Sequence, residues 1–221
     1  MGSVERRVAV DGAPVESLLE AVDRSSGRFL LGITGPPGAG KSTTAALIEA
    51  AANDRRGRDF AVVVPMDGFH LSNAELGARG LLGVKGAPET FDVEGFVRAV
   101  ASVQREPAAA VFWPGFDRSI EETVPGAIAI RRSARLVVVE GNYLLLDRPG
   151  WRDLRGLLDE IWYVDASREV LRRRLLARAR AGGRTEQEAI RHVEESDLPN
   201  AELVAATRLN ADRFLPGSSR A

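Results

Sequence analysis

An apolar run, Phe29-Leu30-Leu31-Gly32-Ile33-Thr34, breaks into Gly35-Pro36-Pro37-Gly38-Ala39-Gly40-Lys41-Ser42-Thr43 and then into the helix-forming Ala45-Ala46-Leu47-Ile48-Glu49-Ala50. The spacing from Gly35 to Ser42 fits G-x-x-x-x-G-K-[ST] in the strand–loop–helix context that this pattern requires. Glycines let successive backbone N–H groups turn inward onto phosphate oxygens, and the start of the following helix adds its positive dipole end. Residues Gly35 to Thr43 are therefore expected to cradle a nucleoside triphosphate. Lys41 would reach the β- and γ-phosphates, and the Ser42 hydroxyl would ligate Mg²⁺. A plain glycine-rich turn would explain the glycines but not the lysine and hydroxyl at these positions.

The rest of the chain reads as strands alternating with helices. A leading helix over Pro14–Arg24 carries Val15, Leu18, Leu19 and Val22 at helical spacing. Strands are expected at Phe29–Thr34, Phe60–Met66, Ala109–Trp113, Arg135–Val139 and Glu160–Val164, with a short closing strand over Asp212–Pro216. Helices are expected from Lys41 to about Ala52, Val93–Gln104, Ser167–Ala181, a segment opened by the Thr185/Glu188 capping box, and Pro199 to about Leu209. Leu71–Asp92 reads as a long glycine-punctuated loop, of a length that in a compact domain usually carries function. Near-continuous apolar strands separated by helices argue for a parallel α/β sheet with ligands at the carboxyl ends of its strands. Asp67, Glu140 and Asp165 all fall at such ends.

Composition narrows the possibilities. The chain has 221 residues, enough for one α/β domain, and a net charge of −1 that gives no electrostatic footprint for nucleic acid. Cysteine is absent, which excludes a disulfide framework and thiolate metal sites. The first eleven residues lack the apolar core of a signal peptide, and no apolar stretch reaches membrane-spanning length; a cytoplasmic protein is expected. Only two of the 30 basic residues are lysine, Lys41 and Lys85. Lysine is a compact point charge that arginine replaces poorly, so Lys85 stands out as a candidate for a specific task.

The Asn-Lys-x-Asp guanine reader of GTPases is absent, as is the Leu-Ser-Gly-Gly signature of transport ATPases. In its place come Met66-Asp67-Gly68-Phe69-His70, Arg79-Gly80, Lys85-Gly86-x-Pro88-Glu89-Thr90-Phe91-Asp92, Glu140-Gly141-Asn142 and Leu198-Pro199-Asn200, in that order. This series resembles the type I pantothenate kinase, uridine kinase and phosphoribulokinase superfamily. It is most similar to pantothenate kinases and to fructose-transport-associated kinase-like proteins, and the resemblance spans roughly residues 28 to 216. Where pantothenate kinases carry Tyr-Ser-His, this chain has Phe112-Trp113-Pro114, so the acceptor stays open. Pro114-Gly115-Phe116-Asp117-Arg118 is only loosely similar to the acceptor-side segment of uridine kinases.

The resemblance implies a three-layer α/β/α fold with a mostly parallel sheet, forming a single kinase domain over 1–221 with a small helical, arginine-rich lid at roughly 168–191. It implies ATP- and Mg²⁺-dependent phosphorylation of a hydroxyl on a small metabolite: a pantothenate-like acid, a nucleoside or a sugar. Asp67 would orient or deprotonate that hydroxyl, Glu140 would sit near Mg²⁺, and Arg174 and Arg178, at i and i+4 on one helix face, would meet the transferring phosphoryl group. His70, Lys85, Asp92, Asn142, Tyr143 and Asn200 are the implied acceptor contacts, whereas His192 reads as surface. A nucleoside monophosphate kinase and a nucleotide-dependent switch or chaperone are the alternatives, and a homodimer is left open.

Overall fold

The computed structural model describes residues 12–105 and 110–217. The readings made on the N-terminal eleven residues, and on the first residue of the strand expected at Ala109, lie outside them. A five-stranded parallel sheet runs in the order β2 (Ala61–Pro65), β5 (Leu136–Glu140), β1 (Phe29–Thr34), β6 (Glu160–Asp165), β7 (Arg213–Pro216). Seven α-helices among the described residues accompany it: α1 (Ala13–Arg24), α2 (Lys41–Arg56), α3 (Asn73–Ala78), α4 (Val93–Arg105), α5 (Arg168–Ala181), α6 (Glu186–His192) and α7 (Leu198–Ala205). A two-stranded antiparallel hairpin, β3 (Val111–Asp117) and β4 (Glu122–Ile130), stands apart from the main sheet.

The strands alternate their side chains between two apolar layers, as the period of two requires. Leu31, Ile33, Leu136, Val138, Trp162 and Val164 pack with Val15, Leu18, Ile48, Leu171 and Leu175 from α1, α2 and α5. Leu30, Val137, Val139, Ile161 and Tyr163 face the other way, onto Phe96 and Val100 of α4, Trp113 of β3 and Trp151. With both faces covered, the sheet is the middle of three layers.

Register places the chemistry. Glu140, the last residue of β5, lies abreast of Ile33 on one side and Pro65 on the other. The phosphate loop leaves β1 one residue after this level, and Asp67 follows two residues after Pro65. Gly35 must be glycine: its φ is +143°, and a Cβ there would stand 2.3 Å from the Val164 carbonyl oxygen.

Several local expectations change. Helix α2 runs a full turn beyond Ala52 and stops at Gly57. The Leu71–Asp92 stretch is not all loop: Ser72 and Glu75 form a reciprocal capping box that opens α3, which is long enough for one turn and so shows no periodicity. Strand β4 is absent from the sequence reading because Pro125 and Gly126, the latter at φ +64°, interrupt its pattern. The last helix begins at Leu198 and ends at Ala205, followed by a separate 3₁₀ turn over Arg208–Asn210. Between α6 and α7, Val193–Asp197 forms a π-helical turn.

Candidate active site

Lys41 opens α2 directly after Gly40, which adopts the left-handed conformation at the N-cap. Its ammonium is buried and donates to the Pro36 carbonyl at 3.1 Å, inside the loop itself. Burial pulls the lysine down to about 8, against the opposing pull of the Glu140 and Asp67 carboxylates. Burial pushes the Glu140 carboxyl up, offset mainly by Lys41. A glycine loop at the start of a helix, holding one desolvated ammonium, is an arrangement that suits a triphosphate.

Beside Lys41, the Ser42 hydroxyl donates to Glu140 Oε2 at 2.9 Å. The two groups form a pair of hard oxygen donors at the mouth of the loop, the donor type that Mg²⁺ prefers. Among the described residues no cluster of three or more acidic, His or Cys side chains forms a self-sufficient metal cage. Mg²⁺ in kinases commonly takes only one or two protein ligands and completes its shell with phosphate and water, so this pair fits it.

Asp67 lies in a short 3₁₀ turn, Met66–Phe69, at the end of β2. The hairpin clamps that turn: a Cβ on Gly68 would stand 2.1 Å from the Pro114 carbonyl oxygen. Trp113 Nε1 donates to the Pro65 carbonyl at 2.9 Å, and Thr123 Oγ1 to the His70 carbonyl at 3.2 Å. Asp67 Oδ2 accepts from Arg118 Nη2 at 2.8 Å. Arg118 is a residue of this candidate site that sequence reasoning passed over. Its signal was the Pro114–Arg118 stretch, whose loose resemblance gave the arginine no partner.

His70 lies 4.0 Å, ring to ring, from Phe91 in a stack and 5.0 Å from Phe116. Its Nδ1 is buried without a hydrogen-bond partner. A cavity of about 550 Å³ borders this turn, lined among others by Phe69, His70, Ser72, Arg79, Asp92 and Thr123. It opens beyond Asp67, not at the phosphate loop.

The other implied acceptor contacts scatter into several environments. Lys85 Nζ donates to Asn73 Oδ1 at 2.8 Å and to the Glu121 carbonyl at 2.5 Å, tying the loop to the hairpin tip. Asp92 Oδ1 accepts from the Gly95 N–H at 2.9 Å, at the start of α4. Tyr143 is fully buried and its hydroxyl donates to the Gly86 carbonyl. The Asn142 carbonyl accepts from Thr34 Oγ1, and Asn200 sits in the first turn of α7. Asp165, read from sequence as part of the next helix's start, pairs with Arg208 at 3.1 Å.

Of the arginines on α5, Arg174 reaches the phosphate loop and donates to the Gly38 and Ala39 carbonyls at 3.1 and 3.3 Å. Arg178 instead pairs with the buried Asp197 of the π-helical turn at 3.3 Å. His192, read as surface, is half-buried with its Nε2 3.8 Å from the same carboxylate.

A parallel sheet with a phosphate loop after β1, Glu140 ending the neighbouring β5 and Asp67 just past β2, defines a P-loop phosphotransferase. No family model matches the chain. It is 34% identical, over 93% of both chains, to a uridine kinase candidate of Schizosaccharomyces pombe. It is 35% identical to a pantothenate kinase of Streptomyces coelicolor, over 76% of this chain and 53% of that protein. The crystal structure of a candidate fructose transport system kinase from Silicibacter sp. TM1040 superposes with a TM-score of 0.83 and 39% identity, covering 93% of this chain and all of the other. The chain belongs to the superfamily of P-loop kinases that holds these uridine kinase-like and pantothenate kinase relatives, and is an ATP-dependent kinase. No helix among the described residues is long and apolar enough to cross a membrane.

Proposed function

We propose that this kinase phosphorylates a hydroxyl group of a small metabolite, with Asp67 as the group that receives or orients the hydroxyl proton. The observation that carries the reading is the convergence of Asp67 with Lys41, Ser42 and Glu140 at the carboxyl ends of adjacent parallel strands. Phosphoryl transfer asks little covalent chemistry of the protein and much positioning and charge neutralisation. Gly35–Thr43 hold the triphosphate, and Lys41 places its ammonium against the β- and γ-phosphates. Ser42 and Glu140 would hold Mg²⁺, which when bound would neutralise phosphate charge. The acceptor oxygen attacks the γ-phosphorus as its bond to the β-phosphate oxygen breaks; ADP leaves, and the hydroxyl proton passes to Asp67.

We read α5 and α6 as the lid, roughly 168–191, of one kinase domain. Arg174 already touches the loop, so it needs little movement to meet phosphate, whereas Arg178 must exchange Asp197 for it. Among acceptors, the named relatives favour a pantothenate-like acid, a nucleoside or a sugar. A nucleoside monophosphate acceptor is the second reading, and the kinase relatives weigh against a nucleotide switch.

The test is an acceptor screen with ATP and Mg²⁺, following ADP release, repeated on Asp67→Asn. The variant should bind ATP as the wild type does and lose transfer by about 10²- to 10⁴-fold, the usual worth of a positioned proton acceptor. Full transfer in a variant that still binds ATP would remove Asp67 from this role.

A further inference from the structure

We propose that Arg118 is a specificity-determining residue that selects acceptors carrying an oxyanion, a carboxylate or a phosphate. The inference rests on the kinase reading above and concerns the same cleft. Arg118 is the cation that touches the proposed proton acceptor, through Nη2 at 2.8 Å from Asp67 Oδ2. Its side chain remains 63% exposed, and the bond to Asp67 takes one of the five N–H donors of its planar fork. That fork matches the two oxygens of a carboxylate or phosphate.

An exposed ion pair by itself contributes little, but this one is built. The hairpin turn that bears Arg118 is closed by Asp117, whose Oδ1 accepts from Ser119 N at 2.8 Å and Ser119 Oγ at 2.6 Å. Its far side is fastened by Lys85 to the Glu121 carbonyl and by the Asn73 N–H to Glu122 Oε1. Thr123 and Pro114 then fix the hairpin to the turn that carries Asp67. Of the other cations on this side, Lys85 has its ammonium directed at Asn73 and Glu121, and Arg79 lines the cavity beyond Asp67. The charge of Arg118 also reaches Lys41, His70 and Glu140. The placement of Arg118 makes chemical sense when the acceptor brings an anion that takes the remaining N–H groups.

The experiment uses the full chain with ATP and Mg²⁺ and acceptor pairs differing in one anionic group: glycerate against glycerol, pantothenate against pantothenol, and ribose 5-phosphate against ribose. Wild type should favour the charged member of its preferred pair by about 10- to 100-fold in kcat/KM, as expected for hydrogen bonds to a charged group. In Arg118→Gln that ratio should fall towards one, through a raised KM for the charged member, and Arg118→Lys should restore part of it. The pair that responds tells carboxylate from phosphate. Equal or better use of the neutral member, or a ratio that survives in Arg118→Gln, overturns the inference and leaves the kinase reading standing. Transfer to no acceptor overturns the reading of the site on which it rests.

Discussion

The imidazole of His70 sits between Phe91 and Phe116 with its Nδ1 buried and unpartnered, an environment that disfavours a cation. Burial holds it down to about 4, against the pull of the Asp67 carboxylate. In the unfolded chain it titrates near 6.5, so between about 6.5 and about 4 the unfolded state holds the extra proton. Stability is therefore fully present above that window and falls as pH drops through it, by at most about 1.4 kcal/mol per pH unit from this residue. His70→Phe keeps an aromatic ring in the stack and removes this dependence. Urea unfolding of both proteins across the window should show the wild type losing ground to the variant as pH falls. His192, also held low by burial, cancels in the comparison, and a constant difference would refute the buried neutral imidazole. Lys85 shows the limit of reading single residues. Its rarity marked it in the sequence, but its partners Asn73 and Glu121 lie 12 and 36 positions away and no local pattern announces them.

At the level of elements, the β3–β4 hairpin decides how the turn carrying Asp67 is held, and it is the element the sequence hid best. Only Ala109–Trp113 suggested a strand, and the return strand is interrupted by proline and glycine. The turn it covers depends on Gly68, whose absent side chain lets the Pro114 carbonyl approach. In Gly68→Ala the clash is with backbone, so the hairpin has to move. We expect a loss of about 1 to 3 kcal/mol in stability, the usual cost of overpacking. We also expect transfer to fall further than ATP affinity, because the phosphate loop belongs to β1 and α2. Chemical denaturation and ATP titration of the same variant measure both; unchanged transfer would separate the hairpin from the chemistry.

For the molecule as a whole, nucleotide binding and folding are linked because only the folded chain assembles the phosphate loop after β1. ATP at about 100 times its Kd should stabilise the protein by about 2.7 kcal/mol, which in a chain of this size raises Tm by about 5 to 10 °C. Lys41→Met should abolish most of that rise while leaving the unliganded protein folded. Thermal melts with and without ATP decide it, and an equal rise in the variant would exclude Lys41 from phosphate binding.

The phosphate loop, the parallel strands and their terminal acids were legible because each depends on local order. A glycine–lysine–serine spacing, apolar runs and capping boxes encode their conformation within a few residues. The register that brings Glu140 beside Ser42, the hairpin that carries Arg118 to Asp67, and the pairing of Arg178 with Asp197 were decided only in the folded chain. Those contacts join residues 98, 51 and 19 positions apart. Contacts at such separations follow from how the layers pack around the sheet, and no periodicity within a segment records them.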